Sequence, residues 1–260
     1  MLDQSIEFFK SAFAFPGLAW QLILIGITLG LAFGACWLAL YHPPLFSQRT
    51  LWPVGVVSAF LTWAAISFIQ IPLQSWTGKF LLLFWSQRTL TDWILLAGIP
   101  QILLSGLVQE GAKLVPVALI WLKYSRKLSL KSGLIFGAIA GAGFGIFEAV
   151  WTHNSIFASG WTWQTFETSG FNALLGFWER FFTTGFHIAV SALAGYGLAR
   201  GMGWQFYLFA SLIHGLTNYS VILMQNLLLN AYQLEIYITI LTLLLTGFVL
   251  YLRWQKVKLA

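Results

Sequence analysis

Val108-Gln109-Glu110-Gly111-Ala112-Lys113-Leu114-Val115-Pro116 sets a carboxylate and an ammonium in the middle of a largely apolar stretch that runs from Trp93 to Trp121. A charged side chain at the centre of a bilayer costs at least about 2.5–3.5 kcal/mol on insertion scales, so a membrane segment that retains two of them is read as functional. Positions i and i+3 share a helix face, which makes Glu110 and Lys113 each other's first partner. Pro116 has no N–H to donate to the carbonyl of Ala112, so the backbone is predicted to loosen one turn beyond the pair. The expectation is a broken, polar, water-accessible patch inside the membrane.

The rest of the chain fits that setting. Of its 260 residues 58% are hydrophobic and only 8% charged, with a mean hydropathy of +0.78, whereas soluble domains carry about 25% charged residues. Fold class follows: an all-α, polytopic membrane helix bundle of about seven transmembrane helices, forming a single integral membrane domain over 1–260 with no polar block long enough for a second. One cysteine, Cys36, excludes an internal disulfide and a cysteine-based zinc cluster. The net charge of +6 does not indicate nucleic acid, because the basic residues sit between the apolar runs, where topology and the lipid bilayer explain them. No small-residue cleavage site follows the first apolar run, so no removable signal peptide is expected.

Residues 3–15 read as an interfacial helix ending at Pro16-Gly17, followed by spans Leu18–Leu40, Leu51–Leu73 and Trp93–Trp121. The run Phe80 to Trp85 is too short to cross and is assigned to the interface. The third span is long enough to need a tilt or a kink, which Pro100 and Pro116 permit. Four more spans run Gly133–Trp151, Trp178–Ala199, Trp204–Gln225 and Leu234–Leu252. The loops that would face one side carry nine basic residues, Arg49, Lys123, Arg126, Lys127, Lys131, Arg200, Arg253, Lys256 and Lys258; the other side has Lys10, Lys79 and Arg88. The side with nine is therefore cytoplasmic, with the carboxyl terminus inside and the amino terminus outside.

Depth then selects a core at 93–225. Glu110 lies 11 residues before Trp121, Glu148 15 after Gly133, His187 12 before Ala199 and His214 10 after Trp204. At about 1.5 Å per residue all four fall roughly 15–23 Å from the cytoplasmic edge of a core about 30 Å thick. Gly133, Gly137, Gly141 and Gly145 form a ladder that permits close helix approach, with Glu148 continuing its stripe. His187, Ser191 and Gly195 share a face, as do Ser211, His214, Gly215 and Asn218. Simpler readings exist: Glu110 with Lys113 as a structural ion pair, either histidine as a packing residue, and Glu179-Arg180 as an interface anchor. His42 and His153, placed in loops, receive no role. Glu148 has no basic neighbour in sequence, so a structural role leaves its charge unexplained.

Gln109-Glu110-x-x-Lys113, Phe144-x-x-x-Glu148, a lone His187 and His214-x-x-x-Asn218, in that order on four successive membrane helices, resemble the PrsW family of intramembrane proteases, part of the superfamily that includes the CAAX prenyl endopeptidases. The resemblance implies a multi-pass protein of a bacterial cytoplasmic membrane that cuts a membrane-anchored polypeptide such as an anti-sigma factor near its outer end. Gln109 stands where the family pattern has Glu, as it does in the related APH scaffold subunit of gamma-secretase.

Peptide hydrolysis needs a water, a group to deprotonate it and donors for the oxyanion. Two arrangements use these residues. In one, His187, His214 and Glu148 hold Zn2+ and Glu110 is the base. In the other no metal is present, Glu110 or Glu148 activates the water, and His214 with Asn218 donates to the oxyanion. Lys113 makes Glu110 the carboxylate kept charged and Glu148 the tunable one. An inactive scaffold of the same fold is one alternative, and a proton-coupled transporter, which needs a polar path to both faces, is another.

Overall fold

The computed structural model describes residues 2–255, and no strand occurs among them. Lys256 and Lys258, part of the basic count above, lie outside the described residues. Among the described residues, seven helical segments are long and apolar enough to cross a membrane.

The chain opens with α1 (Leu2–Ser11), shorter than the predicted 3–15, and turns at Gly17, whose φ of 80° favours glycine. Phe8 stacks on Trp63 at 4.8 Å, and Trp63 Nε1 donates to the Phe9 carbonyl, fixing α1 to the bundle. The first span is α2 (Trp20–Ala39).

The second span differs from its predicted end at Leu73. It comprises α3 (Leu51–Ala65), a π-helical turn (Ile66–Gln70) and α4 (Ile71–Leu81), so Phe80 and Leu81 close a long helix and do not start a separate interfacial piece. Pro72, in the first turn of α4, has no N–H for the carbonyl four residues back, which favours a widened turn there. Beyond that turn Gln74 faces the third span: its Nε2 donates to the Gln101 carbonyl at 2.9 Å, and Gln101 Nε2 donates to the Gln74 carbonyl at 3.1 Å. The Gln74 amide is satisfied by the third span, so this polar residue is tolerated at depth.

Two short helices, α5 (Gln87–Asp92) and α6 (Ile94–Ala97), lead into α7 (Ile99–Lys123). Pro100 lies in the first turn of α7, where its missing donor costs nothing. Pro116 lies inside α7 and does not break it; Ala112, Pro116 and Val117 are buried, and packing holds the turn that has lost one hydrogen bond. The expected break is therefore absent, and the polar groups project from a continuous helix.

The remaining helices are α8 (Leu130–Ala158), α9 (Trp163–Ser169), a 3-10 turn (Gly170–Leu174), α10 (Leu175–Ala199), α11 (Gly203–Gln225) and α12 (Ala231–Trp254). His153 belongs to α8, not to a loop, and is buried. The most apolar windows of α8 and of the α9–α10 segment are 72% and 89% buried, against 22% for α2, so α8 and α10 form the centre and the other spans surround them. The glycine ladder sets that centre. A Cβ on Gly137 would meet the Ser191 carbonyl oxygen at 2.1 Å, and one on Gly141 the His187 carbonyl oxygen at 2.2 Å. The backbones of α8 and α10 thus touch at the level of His187.

Candidate active site

Glu110 and Lys113 occupy one face of α7 at 1% and 0% exposure. Lys113 Nζ lies 2.5 Å from Glu110 Oε1, as the i, i+3 spacing predicts. From α11, His214 Nδ1 reaches the same oxygen at 2.6 Å. That approach requires α7 and α11 to be close: a Cβ on Gly106, one turn before Glu110, would sit 2.1 Å from the Ser211 carbonyl oxygen. From α10, Ser191 Oγ donates to Glu110 Oε2 at 3.5 Å, and His187 Nδ1 lies 3.0 Å from Lys113 Nζ. His187 Nε2 is in turn 3.1 Å from Glu148 Oε2 on α8.

Glu148, without a basic neighbour in sequence, has one in space. Arg180 Nη1 is 3.0 Å from Glu148 Oε2, and Arg180 Nη2 pairs with Glu179. Arg180 is therefore part of the cluster and not only an interface anchor. Its signal in the sequence was its position seven residues, or two helical turns, before His187 on the same face.

The result is one hydrogen-bonded chain across four helices: Arg180, Glu148, His187, Lys113, Glu110, His214. Its proton positions follow from what each member can donate. A carboxylate paired with a cation only accepts, so His187 carries its proton on Nε2, facing Glu148. Its Nδ1 is then a lone pair, which accepts from the Lys113 ammonium. Glu110 likewise accepts from Nδ1–H of His214. His214 Nε2 has no hydrogen-bond partner among the described residues.

A cavity of about 70 Å³ adjoins these groups, lined by Gln109, Glu148, Arg180, His187, His214 and Asn218 among others. It has room for at least two waters at about 30 Å³ each. Asn218 Nδ2 donates to Ser105 Oγ at 2.5 Å, and Gln109 Nε2 donates to Gln70 Oε1 at 3.1 Å. Gln70 is the last residue of the π-helical turn of the second span. Gln109 Oε1 is buried with no partner. Ser191 is legible as a residue on the face of His187, whereas neither Gln70 nor Ser105 carries a signal in sequence that separates it from other polar residues of the spans.

Glu110, His187 and His214 form a cluster whose ligand atoms all lie within 4.8 Å of one another. One carboxylate and two imidazoles are a donor set suited to a catalytic zinc with an open position, and the carboxylate–histidine contact of Glu110 with His214 is typical of such sites. Glu148, the third ligand in the arrangement read from sequence, instead lies on the far side of His187, between it and Arg180. Lys113 Nζ stands between Glu110 and His187, so an ion held by both would take the place of that ammonium.

A comparison with curated proteins and one with solved structures each gave no match. A comparison with family models matched residues 52–248 to the PrsW family intramembrane metalloproteases, a range that holds all four motifs and Arg180. With most of its length matched, and with the motif residues Glu110, Lys113, Glu148, His187 and His214 linked across four helices, the chain belongs to the PrsW family of intramembrane metalloproteases.

Proposed function

We propose that this chain is an endopeptidase that hydrolyses a peptide bond of a membrane-anchored polypeptide in the cavity between α7, α8, α10 and α11. The observation that carries the reading is His214 in the wall of a water-sized polar chamber among apolar helices, its Nδ1 2.6 Å from Glu110 and its Nε2 without a hydrogen-bond partner among the described residues. Within hydrogen-bond reach of a water, that nitrogen is a general base, a role worth about 10²–10⁴-fold in rate. Glu110 orients the ring and stabilises the imidazolium formed when the water's proton arrives. Lys113 holds Glu110 charged in turn, and its remaining N–H faces the Phe144 ring, 5.7 Å from the centroid. Asn218 has a second N–H on Nδ2, beyond the one given to Ser105, to donate to the oxyanion.

Zinc would be carried by Glu110, His187 and His214, with Glu148 adjacent, and when bound it would supply Lewis-acid polarisation of the carbonyl and a more acidic water. The residues deliver the same positions in both cases: a base or ligand at His214, a fixed carboxylate behind it, and amide donors across the chamber.

Orientation supports a cut near the outer face. If the basic loops are cytoplasmic, as the sequence predicts, the chamber, which Arg180 and Glu179 line together with His187, extends toward the outer face. On the inner side, among the described residues, Glu110 and Lys113 back onto Leu114, Val117, Ala140 and Ala194 with no water-sized space. A proton path to both faces is therefore not favoured. The scaffold reading rests on Gln109, but that side chain hydrogen-bonds to Gln70 and Ser105 and to none of the groups from Arg180 to His214. The substitution alters a wall of the chamber and leaves the proton-handling groups in place.

The test is cleavage of a single-span reporter by the purified protein in liposomes. Glu148→Gln is expected to lower turnover by at least tenfold while the protein still folds. Undiminished turnover would remove Glu148 and, through it, His187 from the mechanism.

A further inference from the structure

Resting on the protease reading above, we infer that Arg180 is a positioning residue of the site, holding the Glu148 carboxylate so that His187 keeps one orientation and one tautomer. Arg180 lies on the same helix as His187, and its side chain is only 12% exposed. It has two carboxylate partners, one at each terminal nitrogen: Glu148 through Nη1 and Glu179 through Nη2. A guanidinium forked between two carboxylates is a rigid device, because its donors are coplanar and both are engaged.

What the fork fixes is a single atom. Glu148 Oε2 receives both the guanidinium, at 3.0 Å, and His187 Nε2, at 3.1 Å. The second attachment of Arg180, to Glu179, prevents the guanidinium from following if the Glu148 side chain turns. The carboxylate is thereby pinned where His187 must donate to it.

The consequence runs inward along the chain. If Glu148 turns away, His187 loses its acceptor at Nε2 and the ring can carry its proton on Nδ1. An Nδ1–H would face the Lys113 ammonium 3.0 Å away, donor against donor. Lys113 would be pushed from a position it shares with Glu110 Oε1, the oxygen that orients His214. Arg180 thus acts on the chamber through other residues and needs no contact with substrate. Groups of this outer kind typically matter by 10–100-fold.

The experiment uses the full chain, with Arg180→Met and Arg180→Lys. In liposomes with the single-span reporter, Arg180→Met is expected to lower kcat by about 10–100-fold with KM little changed. Arg180→Lys, which keeps the charge but has one donor head for two carboxylates, should recover part of that loss. The double change Arg180→Met with Glu148→Gln should be no slower than Glu148→Gln alone, since both act through one contact. Independently of cleavage, ring ¹⁵N spectra of the detergent-solubilised protein, with His187 identified by its loss in His187→Asn, should show a single Nε2–H tautomer in the native chain and a mixture in Arg180→Met. His187 signals identical to native in Arg180→Met would overturn the inference, as would losses that multiply in the double change. Should Arg180→Met not fold, Arg180→Lys carries the same test: native kcat together with native ring signals overturns the inference. If the native protein cuts no reporter but the tautomer shift is present, the protease reading fails and the role of Arg180 stands.

Discussion

Replacing Gly141 by alanine adds one methyl group where the structure has no room for it. The new Cβ would meet the His187 carbonyl oxygen at 2.2 Å, that residue's carbonyl carbon at 2.7 Å and Ile188 Cα at 2.8 Å, all of them backbone atoms that cannot rotate away. Ordinary carbon–oxygen contact is about 3.3–3.6 Å, so α8 and α10 must part by roughly 1 Å. The Glu148–His187 bond at 3.1 Å spans this same interface and lengthens beyond hydrogen-bonding range. A displacement of about 1 Å from a change outside the chemistry can cost on the order of 10²-fold in rate, and overpacking a tight contact costs about 1–3 kcal/mol in stability. Gly145→Ala is the control, since its nearest contacts are 3.2 Å to Thr184 Cα, 3.3 Å to the Thr184 carbonyl oxygen and 3.4 Å to His187 Cβ, which a shift of a few tenths of an ångström relieves. The assay is reporter cleavage in liposomes together with thermal unfolding in detergent. Gly141→Ala with native rate and native unfolding temperature would refute the claim that the glycine ladder sets the distance between Glu148 and His187.

Other substitutions test other parts of the site. Lys113→Met leaves Glu110 buried beside two imidazoles without its ammonium, and a loss of about 3–5 kcal/mol in unfolding free energy is expected, largely recovered in Lys113→Met with Glu110→Gln. Gln74→Leu removes one half of the clamp between α4 and α7, leaving Gln101 Nε2 on the backbone carbonyl of residue 74, and is expected to cost roughly 0.5–2 kcal/mol, measured by denaturation in detergent. Zinc added as the bare ion is expected to bind at one per chain and to be lost in His214→Ala but kept in Glu148→Gln, as measured by metal analysis after dialysis. Loss in Glu148→Gln would put Glu148 among the ligands.

Much of this site was legible in the sequence because membrane helices simplify the reading. Every span is a helix, and an ionisable residue in its middle must point at protein. Glu110 with Lys113 was local, an i, i+3 pair, and the structure keeps it at 2.5 Å. The convergence of Glu110, Glu148, His187 and His214 followed from equal depth on successive spans. The pairing within the group did not, because depth says nothing about rotation around the bundle. Which carboxylate faces which imidazole depends on the approach of α8 to α10 and of α7 to α11. The partner of Glu148 is only half legible for the same reason: the sequence puts Arg180 on the face of His187, but it comes near Glu148 only once α10 is docked on the glycine ladder. The second span reads short because Gln74 and Lys79 lower the hydropathy beyond Leu73, while the π-helical turn that holds Gln70 has no pattern in sequence beyond Pro72. Pro116 was expected to break α7, and tertiary packing overrode it.

The central claim is that the buried chain ending at His214 activates a water for peptide hydrolysis, and the most direct measurement is cleavage of a single-span reporter by purified, liposome-reconstituted protein and its Glu110→Ala and His214→Ala variants. The account expects product from the native chain and a fall of about 10²–10⁴-fold in each variant, with both variants still folded. Cleavage that persists at the native rate in His214→Ala, or a native chain that yields no product from any membrane-anchored reporter, would contradict it.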